Sequence, residues 1–281
     1  MRRELARVVR DALDEDLGWG DVTTDALVPP DQPGRGVVLV KDEGVLAGLD
    51  AVVEVFTQLD PSVSVELRAA DGDRVRPGQE VALLTGPAAS ILKGERVALN
   101  LLQRLSGVAT ATRRYVEAVA GTKAQVIDTR KTTPGLRALE KCAVRVGGGA
   151  NHRMNLSDGV LVKDNHLAAL RSRGHGIAEA VRRARAHAPH TVRVEIEVTT
   201  VEQADEAASA GADIVLLDNM PPERTAEAVR RINGRSLVEA SGGVRLETVR
   251  AVAESGVDLI SVGALTHSTP ALDISLELTI A

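Results

Sequence analysis

Aromatic side chains are almost absent from this chain, which has one Trp, one Tyr and one Phe among 281 residues. Proteins that bind single-stranded nucleic acids stack the bases on aromatic side chains, so this composition disfavours a nucleic-acid partner. Cysteine is scarce too: the single Cys142 excludes an intrachain disulfide, and the sequence has no Cys and His residues at metal-ligand spacing. We interpret Cys142 as a buried residue of a helix.

Long apolar runs and an excess of one charge are also missing. No stretch reaches the length of a membrane span, and the amphipathic N-terminus, MRRELARVVRDALDEDLG, lacks the apolar core of a signal peptide. We therefore expect a cytoplasmic protein without a membrane partner. The formal net charge of -5 gives no general attraction to polyanions, so local clusters of basic residues are more informative.

The patterning divides the chain into two regions. Up to about residue 110, a helix is followed by short β patterns with Gly and Pro turns, which predict a mostly antiparallel α+β unit. Apolar residues at helical spacing between Ser90 and Val119 predict one long helix or two. Further on, apolar runs such as VRVEIEV and DIVLLDN alternate with helical patterns, and such repeated βα units predict a parallel sheet closed into a TIM-like barrel. We predict an N-terminal domain over 1–110, with 268–281 as a candidate addition to it, and a barrel over 111–267.

The stretch VIDTRKTTPGLR, residues 126–137, indicates an anion site. Its apolar start reads as a buried strand, which ends in adjacent Arg130 and Lys131. These side chains repel each other unless an anion binds between them. In a barrel the chemistry lies at the C-terminal ends of the strands, and most of the other strands also end in charged residues. Those are Lys163, Glu195, Glu197, Asp218 and Glu239.

Glu195 and Glu197 alternate with apolar residues on one strand, so both carboxylates face the same side. The other side of a barrel strand packs on helices, so we expect the Glu face to point inward, where an uncompensated charge is costly. The pair needs Lys131, Lys163, the arginines or a bound metal nearby.

Two glycine-rich turns, ASGGV at 240–244 and SVGAL at 261–265, follow the last two strands, and each precedes an expected helix start. Glycines let backbone N–H groups approach phosphate oxygens, and a helix N-terminus adds partial positive charge. The turns predict a phosphate site.

Basic residues are frequent between Asp128 and His166. Arg137, Lys141 and Arg145 fit the solvated face of an amphipathic helix. The others lie in predicted loops or strand ends, where arginine suits a carboxylate ligand. These others are Arg130, Lys131, His152, Arg153 and Lys163.

The stretch DTRKTTPGLRALEKCAVRVGGGANHRMNLSDGVLVKDNH strongly resembles the central signature of quinolinate phosphoribosyltransferases. EDLGWGDVTT, GERVALNLLQRLSGVATAT, VEIEV, LLDNM, EASGGV and VGALTHS resemble further landmarks of that family, in family order and over nearly the whole chain. The resemblance implies a type II phosphoribosyltransferase fold, with an N-terminal open-faced α+β sandwich domain and an incomplete TIM-like α/β barrel. It also implies the reaction of quinolinate with phosphoribosyl pyrophosphate and Mg²⁺, which gives nicotinate mononucleotide, pyrophosphate and CO₂ in de novo NAD synthesis.

The resemblance implies a role for each candidate residue. Quinolinate would be bound by Thr129, Arg130, His152, Arg153 and Lys163, and by Arg96 from a neighbouring subunit, which makes a homodimer the minimum unit and leaves a hexamer open. Lys131, Glu197 and Asp218 would be catalytic and contact the phosphoribosyl group, the two acids also holding Mg²⁺ directly or through water. The remaining phosphoribosyl contacts would be Ser241, Gly242, Gly243, Val262, Gly263 and Ala264.

Other readings stay open. The molybdenum-transport-associated paralogue shares the fold, although Asn151-His152-Arg153 favours quinolinate. A thiamine phosphate or indole glycerol phosphate synthase would need fewer cations than the basic loop supplies. A non-catalytic module that binds a polyanion is disfavoured by the net charge and the missing aromatics.

Overall fold

The computed structural model describes residues 2–280. In chain order, the first part contains α1 (Arg2–Leu17), α2 (Val22–Leu27), β1 (Pro33–Val40), β2 (Gly44–Val45), α3 (Leu49–Leu59), β3 (Ser64–Leu67), β4 (Arg74–Val75), β5 (Glu80–Pro87) and α4 (Ala88–Ala118). There follow β6 (Gln125–Ile127), α5 (Arg137–Val146), β7 (Val160–Val162), α6 (Asp164–Arg171), α7 (Ile177–His187), β8 (Val194–Val198), α8 (Val201–Ser209), β9 (Ile214–Asp218), α9 (Pro222–Ile232), β10 (Leu237–Ser241), α10 (Leu246–Glu254), β11 (Leu259–Ser261), α11 (Ala264–His267) and β12 (Ile274–Ile280).

The chain forms two compact units. One contains residues 2–113, 132–148 and 265–280, and the other contains residues 114–131 and 149–264. The domain boundaries predicted at 110 and 267 stay a prediction. The compact units differ from them over 132–148, which the sequence assigned to the barrel. This segment packs with the first unit because α5 buries Leu139 and Ala143 beside Leu5 and Leu105.

The first unit is built on a four-stranded antiparallel sheet in the order β12-β1-β5-β3. Alternate residues of β1 are buried, as expected for a sheet with one covered face. Residues Leu5, Val8, Val9 and Leu13 form the buried stripe of α1 at helical spacing. The predicted helix after Ser90 is a single helix of 31 residues, α4, which carries Arg96 and Arg104.

Helix α5 differs from its expected amphipathic pattern. Lys141, assigned to a solvated face, is fully buried, whereas Arg137 is half-buried and Arg145 is exposed. Cys142 is half-buried rather than buried. The reason is that α5 buries more than one of its faces: Glu140, beside Lys141, is fully buried and accepts bonds from Arg104 of α4.

The second unit contains the predicted parallel sheet. Its six strands run in the order β6-β11-β10-β9-β8-β7, so the first strand pairs with the last and the sheet opens between β6 and β7. A bridge from Ile127 to Ala150 partly spans this opening. Helices connect the successive strands, and the arrangement is the expected incomplete α/β barrel.

None of the helices within residues 2–280 is long and apolar enough to cross a membrane.

Candidate active site

Three predicted catalytic or binding residues lie at the C-terminal ends of neighbouring strands. Lys163 comes directly after β7, Glu197 lies near the end of β8, and Asp218 ends β9. The Nζ of Lys163 lies 3.5 Å from Oε2 of Glu197, whose side chain is mostly buried. Lys163 therefore supplies the cation that Glu197 was expected to need.

Asp128 fixes the segment that carries the next two candidates. Its side chain is fully buried after β6. Its Oδ1 accepts the backbone N–H of His152 at 2.8 Å, and its Oδ2 accepts the side-chain amide of Asn151 at 2.7 Å. The carboxylate thus holds His152 and Arg153 beside the opening of the barrel. From the sequence, Asp128 was only one of several polar residues at a strand end.

His152 faces two acids inside the barrel. Its Nε2 lies 3.2 Å from Oε2 of Glu195 and 3.9 Å from Oε1 of Glu239. Only 4% of Glu195 and 1% of Glu239 are exposed. Burial, and next the charge of Glu195, raise the pKa of Glu239 to about 8, against smaller opposing effects of His152 and Ser261. The inward direction of Glu195 is as predicted, but its neighbours include another acid, which the strand pattern did not reveal.

Arg153 lies close to a second arginine. Its Nη1 donates to the backbone carbonyl of Gly159 at 3.0 Å. Burial lowers the pKa of Arg153, and so does the nearby charge of Arg130, whereas Glu195 acts in the opposite direction. Two guanidinium groups held within mutual repulsion are typical of a site that binds an anion.

The loop after β6 carries Lys131, which was predicted to be catalytic. Thr129 Oγ1 accepts the backbone N–H of Lys131 at 3.0 Å, and the Lys131 side chain is exposed.

A cavity of about 450 Å³ lies inside the second unit. His152, Arg153, Glu195 and Glu239 line it together with residues that begin several strands, such as Gln125 of β6 and Ile214 of β9. Four other candidate residues do not line this cavity: Arg130, Lys163, Glu197 and Asp218. The structure therefore groups His152 and Arg153 with two buried acids, and places Lys163 with Glu197.

The first glycine turn requires glycine on two grounds. Gly242 and Gly243 have φ values of +88° and +61°, which L residues rarely adopt. A Cβ on Gly242 would lie only 2.5 Å from Cγ and Oδ1 of Asn219. Asn219, which itself has a φ of 52°, donates its amide to Asp218 Oδ2 at 3.0 Å. Asn219 was not singled out from the sequence, although it directly follows a predicted site residue.

The same turn connects to the second glycine turn. Ser261 Oγ donates to Ser241 Oγ at 2.8 Å, and the N–H of the buried Val262 donates to the carbonyl of Ile127 at 2.9 Å. Gly263 and Ala264 follow, and α11 begins at Ala264, as α10 begins shortly after Gly243.

Arg96 lies in the other compact unit, on α4, where 58% of its side chain is exposed and its Nη2 is 3.6 Å from Glu95.

Family models cover most of the chain. Residues 21–106 match the N-terminal domain of quinolinate phosphoribosyl transferase, and residues 108–277 match its C-terminal domain. The chain belongs to the quinolinate phosphoribosyltransferase family.

The chain is similar to relatives over nearly their whole length. The chain is 46% identical to the probable nicotinate-nucleotide pyrophosphorylase (carboxylating) of Bacillus subtilis, with 95% of the chain and 91% of the relative covered. It is 45% identical to the nicotinate-nucleotide pyrophosphorylase (carboxylating) of Mycobacterium leprae, with 96% and 95% covered. The crystal structure of NadC from Streptococcus pyogenes superposes with a TM-score of 0.95 at 43% identity, covering 100% of this chain and 98% of that one. The predicted fold class and family are confirmed.

Proposed function

We propose that this member of the quinolinate phosphoribosyltransferase family transfers the phosphoribosyl group of phosphoribosyl pyrophosphate to quinolinate. The products are nicotinate mononucleotide, pyrophosphate and CO₂, and the reaction serves de novo NAD synthesis in the cytoplasm. The observation that carries the proposal is the pairing of Arg153 with the charge of Arg130, which adds to burial in lowering the pKa of Arg153, in a chain whose relatives are named for this chemistry.

The two carboxylates of quinolinate explain the number of cations. Arg130 and Arg153 would each bind a carboxylate through two N–H groups, which a single phosphate ligand would not require. Lys163 would add a point charge at the end of β7, with Thr129 and His152 as hydrogen-bonding support. The bound dianion removes the repulsion between the two guanidinium groups, so part of the binding free energy comes from relief of an unfavourable arrangement.

Glu197 and Asp218 would act on the ribose. Cleavage at the ribose C1 develops positive charge on the sugar, and carboxylates at the ends of β8 and β9 would stabilise that charge more in the transition state than in the ground state. Asn219 fixes the Asp218 carboxylate for this role. Lys131, exposed on the neighbouring loop, would bind the departing pyrophosphate.

The carboxylates of Glu197 and Asp218 are hard oxygen donors of the kind that Mg²⁺ prefers, so the residues present fit this ion. Mg²⁺ held by them, directly or through water, would offset the charge of the pyrophosphate. For the 5′-phosphate we propose backbone N–H groups of both glycine turns, with Ser241, Gly242, Gly243, Val262, Gly263 and Ala264 as contacts. During decarboxylation, the chain's contribution is to hold the ring carboxylates with Arg130 and Arg153.

A homodimer with shared sites is part of the proposal. Arg96 would reach the quinolinate site of a neighbouring subunit, in keeping with its exposed side chain. Trp19, Val22 and Leu27 are large apolar side chains left exposed in the same compact unit, which a second copy could cover.

Subunit mixing tests the shared site. Arg96→Ala and Lys163→Ala proteins should each be inactive, and their mixture should regain part of the activity because one site of a mixed dimer keeps both residues. No recovery, once exchange of subunits is verified, would contradict the shared site.

The central experiment measures nicotinate mononucleotide from quinolinate, phosphoribosyl pyrophosphate and Mg²⁺, with nicotinate replacing quinolinate in a parallel reaction. Product and CO₂ from quinolinate alone would support the proposal. Product from neither acid would refute it and favour the paralogue's substrate or another acceptor.

Arg153→Ala tests the quinolinate assignment directly. We expect quinolinate binding to be lost while binding of phosphoribosyl pyrophosphate, measured by calorimetry, stays largely intact. Arg145→Ala is the matched control, because this exposed arginine lies on α5 in the other unit. Equal loss of both ligands in the Arg153 variant would contradict the assignment.

A further inference from the structure

Two buried carboxyl groups that the mechanism does not use meet inside the barrel. Glu195 comes from β8 and Glu239 from β10, with β9 between these strands. One carboxyl oxygen of each, together with His152 Nε2, forms a group whose atoms all lie within 4.8 Å of one another. Oε1 of Glu195 and Oε1 of Glu239 are buried and accept no hydrogen bond. A cluster of this kind requires a bound cation, either a metal ion or a proton.

The hydrogen bonds of His152 show whether the cluster suits a metal ion or a proton. Its Nδ1 accepts the backbone N–H of Arg153 at 2.7 Å, so this nitrogen carries no proton. The neutral imidazole therefore has its proton on Nε2, the nitrogen that faces Glu195. A metal ligand needs a lone pair at that position, whereas His152 presents an N–H donor. The cluster is thus arranged for hydrogen bonds.

A proton on one acid satisfies the remaining oxygen atoms. Two ionised carboxylates at this separation repel each other in a buried site, and a single proton replaces the repulsion with a hydrogen bond. Glu239 is the more deeply buried acid, and burial raises its pKa. Glu195 faces the N–H of His152 and lies near the charge of Arg153, so it is the acceptor of the pair.

We propose that Glu239 is a positioning residue which, as a neutral acid, donates a hydrogen bond to Glu195 and thereby fixes His152 and Arg153 for quinolinate. The order of contacts is Glu239 to Glu195, Glu195 to His152 Nε2, and His152 Nδ1 to the backbone of Arg153. A neutral Glu239 also avoids a second negative charge beside a site that must attract a dianion. The effect on quinolinate rests on the proposed function, whereas the neutral state of Glu239 does not.

Two substitutions separate the hydrogen bond from the volume of the side chain. Glu239→Gln keeps a donor toward Glu195, and Glu239→Leu keeps a similar size without one. We expect E239Q to retain the quinolinate KM within about threefold, and E239L to raise it by about ten- to a hundredfold, the effect of losing a hydrogen bond to a charged group. The KM for phosphoribosyl pyrophosphate should change in neither.

A spectroscopic readout covers the case in which E239L does not fold. The infrared spectrum of the wild-type protein at neutral pH should contain the C=O stretching band of a buried carboxylic acid, and E239Q should lack this band. Absence of the band in the wild type would overturn the proposal, as would equal quinolinate KM values for E239Q and a folded E239L. A stoichiometric metal ion that the wild type retains and E239Q loses would overturn it in favour of a metal centre.

The proposed function has a separate criterion. A wild-type protein that forms no nicotinate mononucleotide would refute the quinolinate reaction, while the infrared band would still report whether Glu239 is a neutral acid.

Discussion

Alanine at Gly242 should damage the first glycine turn far more than alanine at the adjacent Gly243. Both glycines have positive φ values, so either substitution forces an L residue into the left-handed region, at a cost of about 1–2 kcal/mol. Only at Gly242 does the new Cβ meet a neighbour, 2.5 Å from Asn219, whereas the closest atom to a Cβ on Gly243 is 3.7 Å away. The two variants therefore differ by the cost of displacing one side chain.

The displacement has a functional consequence. Carbon atoms in ordinary contact are about 3.5–4.0 Å apart, so the Asn219 amide must move by about 1 Å. It then leaves Asp218 Oδ2, which it contacts at 3.0 Å. We expect crowding and the lost hydrogen bond to add about 1–3 kcal/mol, so that the Gly242 variant loses roughly 2–5 kcal/mol of stability in total. Its kcat should fall as well, because Asp218 is no longer held.

The assay combines urea unfolding with kinetics in phosphoribosyl pyrophosphate. Unfolding is best followed by far-UV circular dichroism, because the single Trp19 is fully exposed and reports little about the core. Asn219→Gly should restore the stability that crowding costs the Gly242→Ala variant, since it removes the contacted atoms and glycine tolerates the positive φ at position 219. Asn219→Gly alone is the control for the lost bond to Asp218.

Either of two results would refute the importance of the contact between Gly242 and Asn219. Equal losses of stability and kcat in the Gly242 and Gly243 variants would show that the contact with Asn219 does not matter. Failure of Asn219→Gly to raise the stability of the Gly242 variant would show that the loss of stability has another cause.

Two further predictions concern buried charges. Glu140→Ala should destabilise the protein by about 3–5 kcal/mol, because the buried Glu140 accepts hydrogen bonds from Arg104 at 2.8 and 3.1 Å. In urea unfolding, the double variant Glu140→Ala with Arg104→Met should regain most of this lost stability. Losses of stability that simply add in the double variant would refute the coupling between the two residues. The pKa of Glu239 is raised from 4.5 to about 8, so the folded protein holds this proton more tightly than the unfolded chain does. The resulting stabilisation is complete below pH 4.5 and is lost as the pH rises toward 8. The stability of the wild type should therefore fall relative to that of E239Q across this window, by at most about 1.4 kcal/mol per pH unit. A constant difference between the two proteins across this window would contradict the raised pKa.

Periodicity and turn chemistry predicted the architecture of the chain well. The alternation of short apolar runs with helical patterns identified six parallel strands, because strands covered on both faces are continuously apolar and the connecting helices are amphipathic. The glycine turns after β10 and β11 were equally visible, since positive φ values and close approach admit few other residues. The charges at strand ends gave the candidate residues without revealing how they pair.

The contacts between charged side chains could not be predicted from the sequence, because most of them join residues that are distant along the chain. Lys141 and Glu140 have the pattern of a solvated helix face, yet both are buried, since α5 contacts neighbours on more than one side. Glu239 was one more charged residue at a strand end until β10 and β8 placed it beside Glu195. The role of Asn219 could be inferred only once the structure placed it against Gly242, in the turn after the neighbouring strand β10.

The sequence by itself determined the family, the order of strands and helices, and the kinds of residue at the strand ends, because these depend on local periodicity and on contiguous motifs. The tertiary structure alone decided which charges meet and which buried acid has a raised pKa. Those properties depend on burial and on distances of a few ångströms between different strands, where electrostatic energies are largest and the linear pattern has no information.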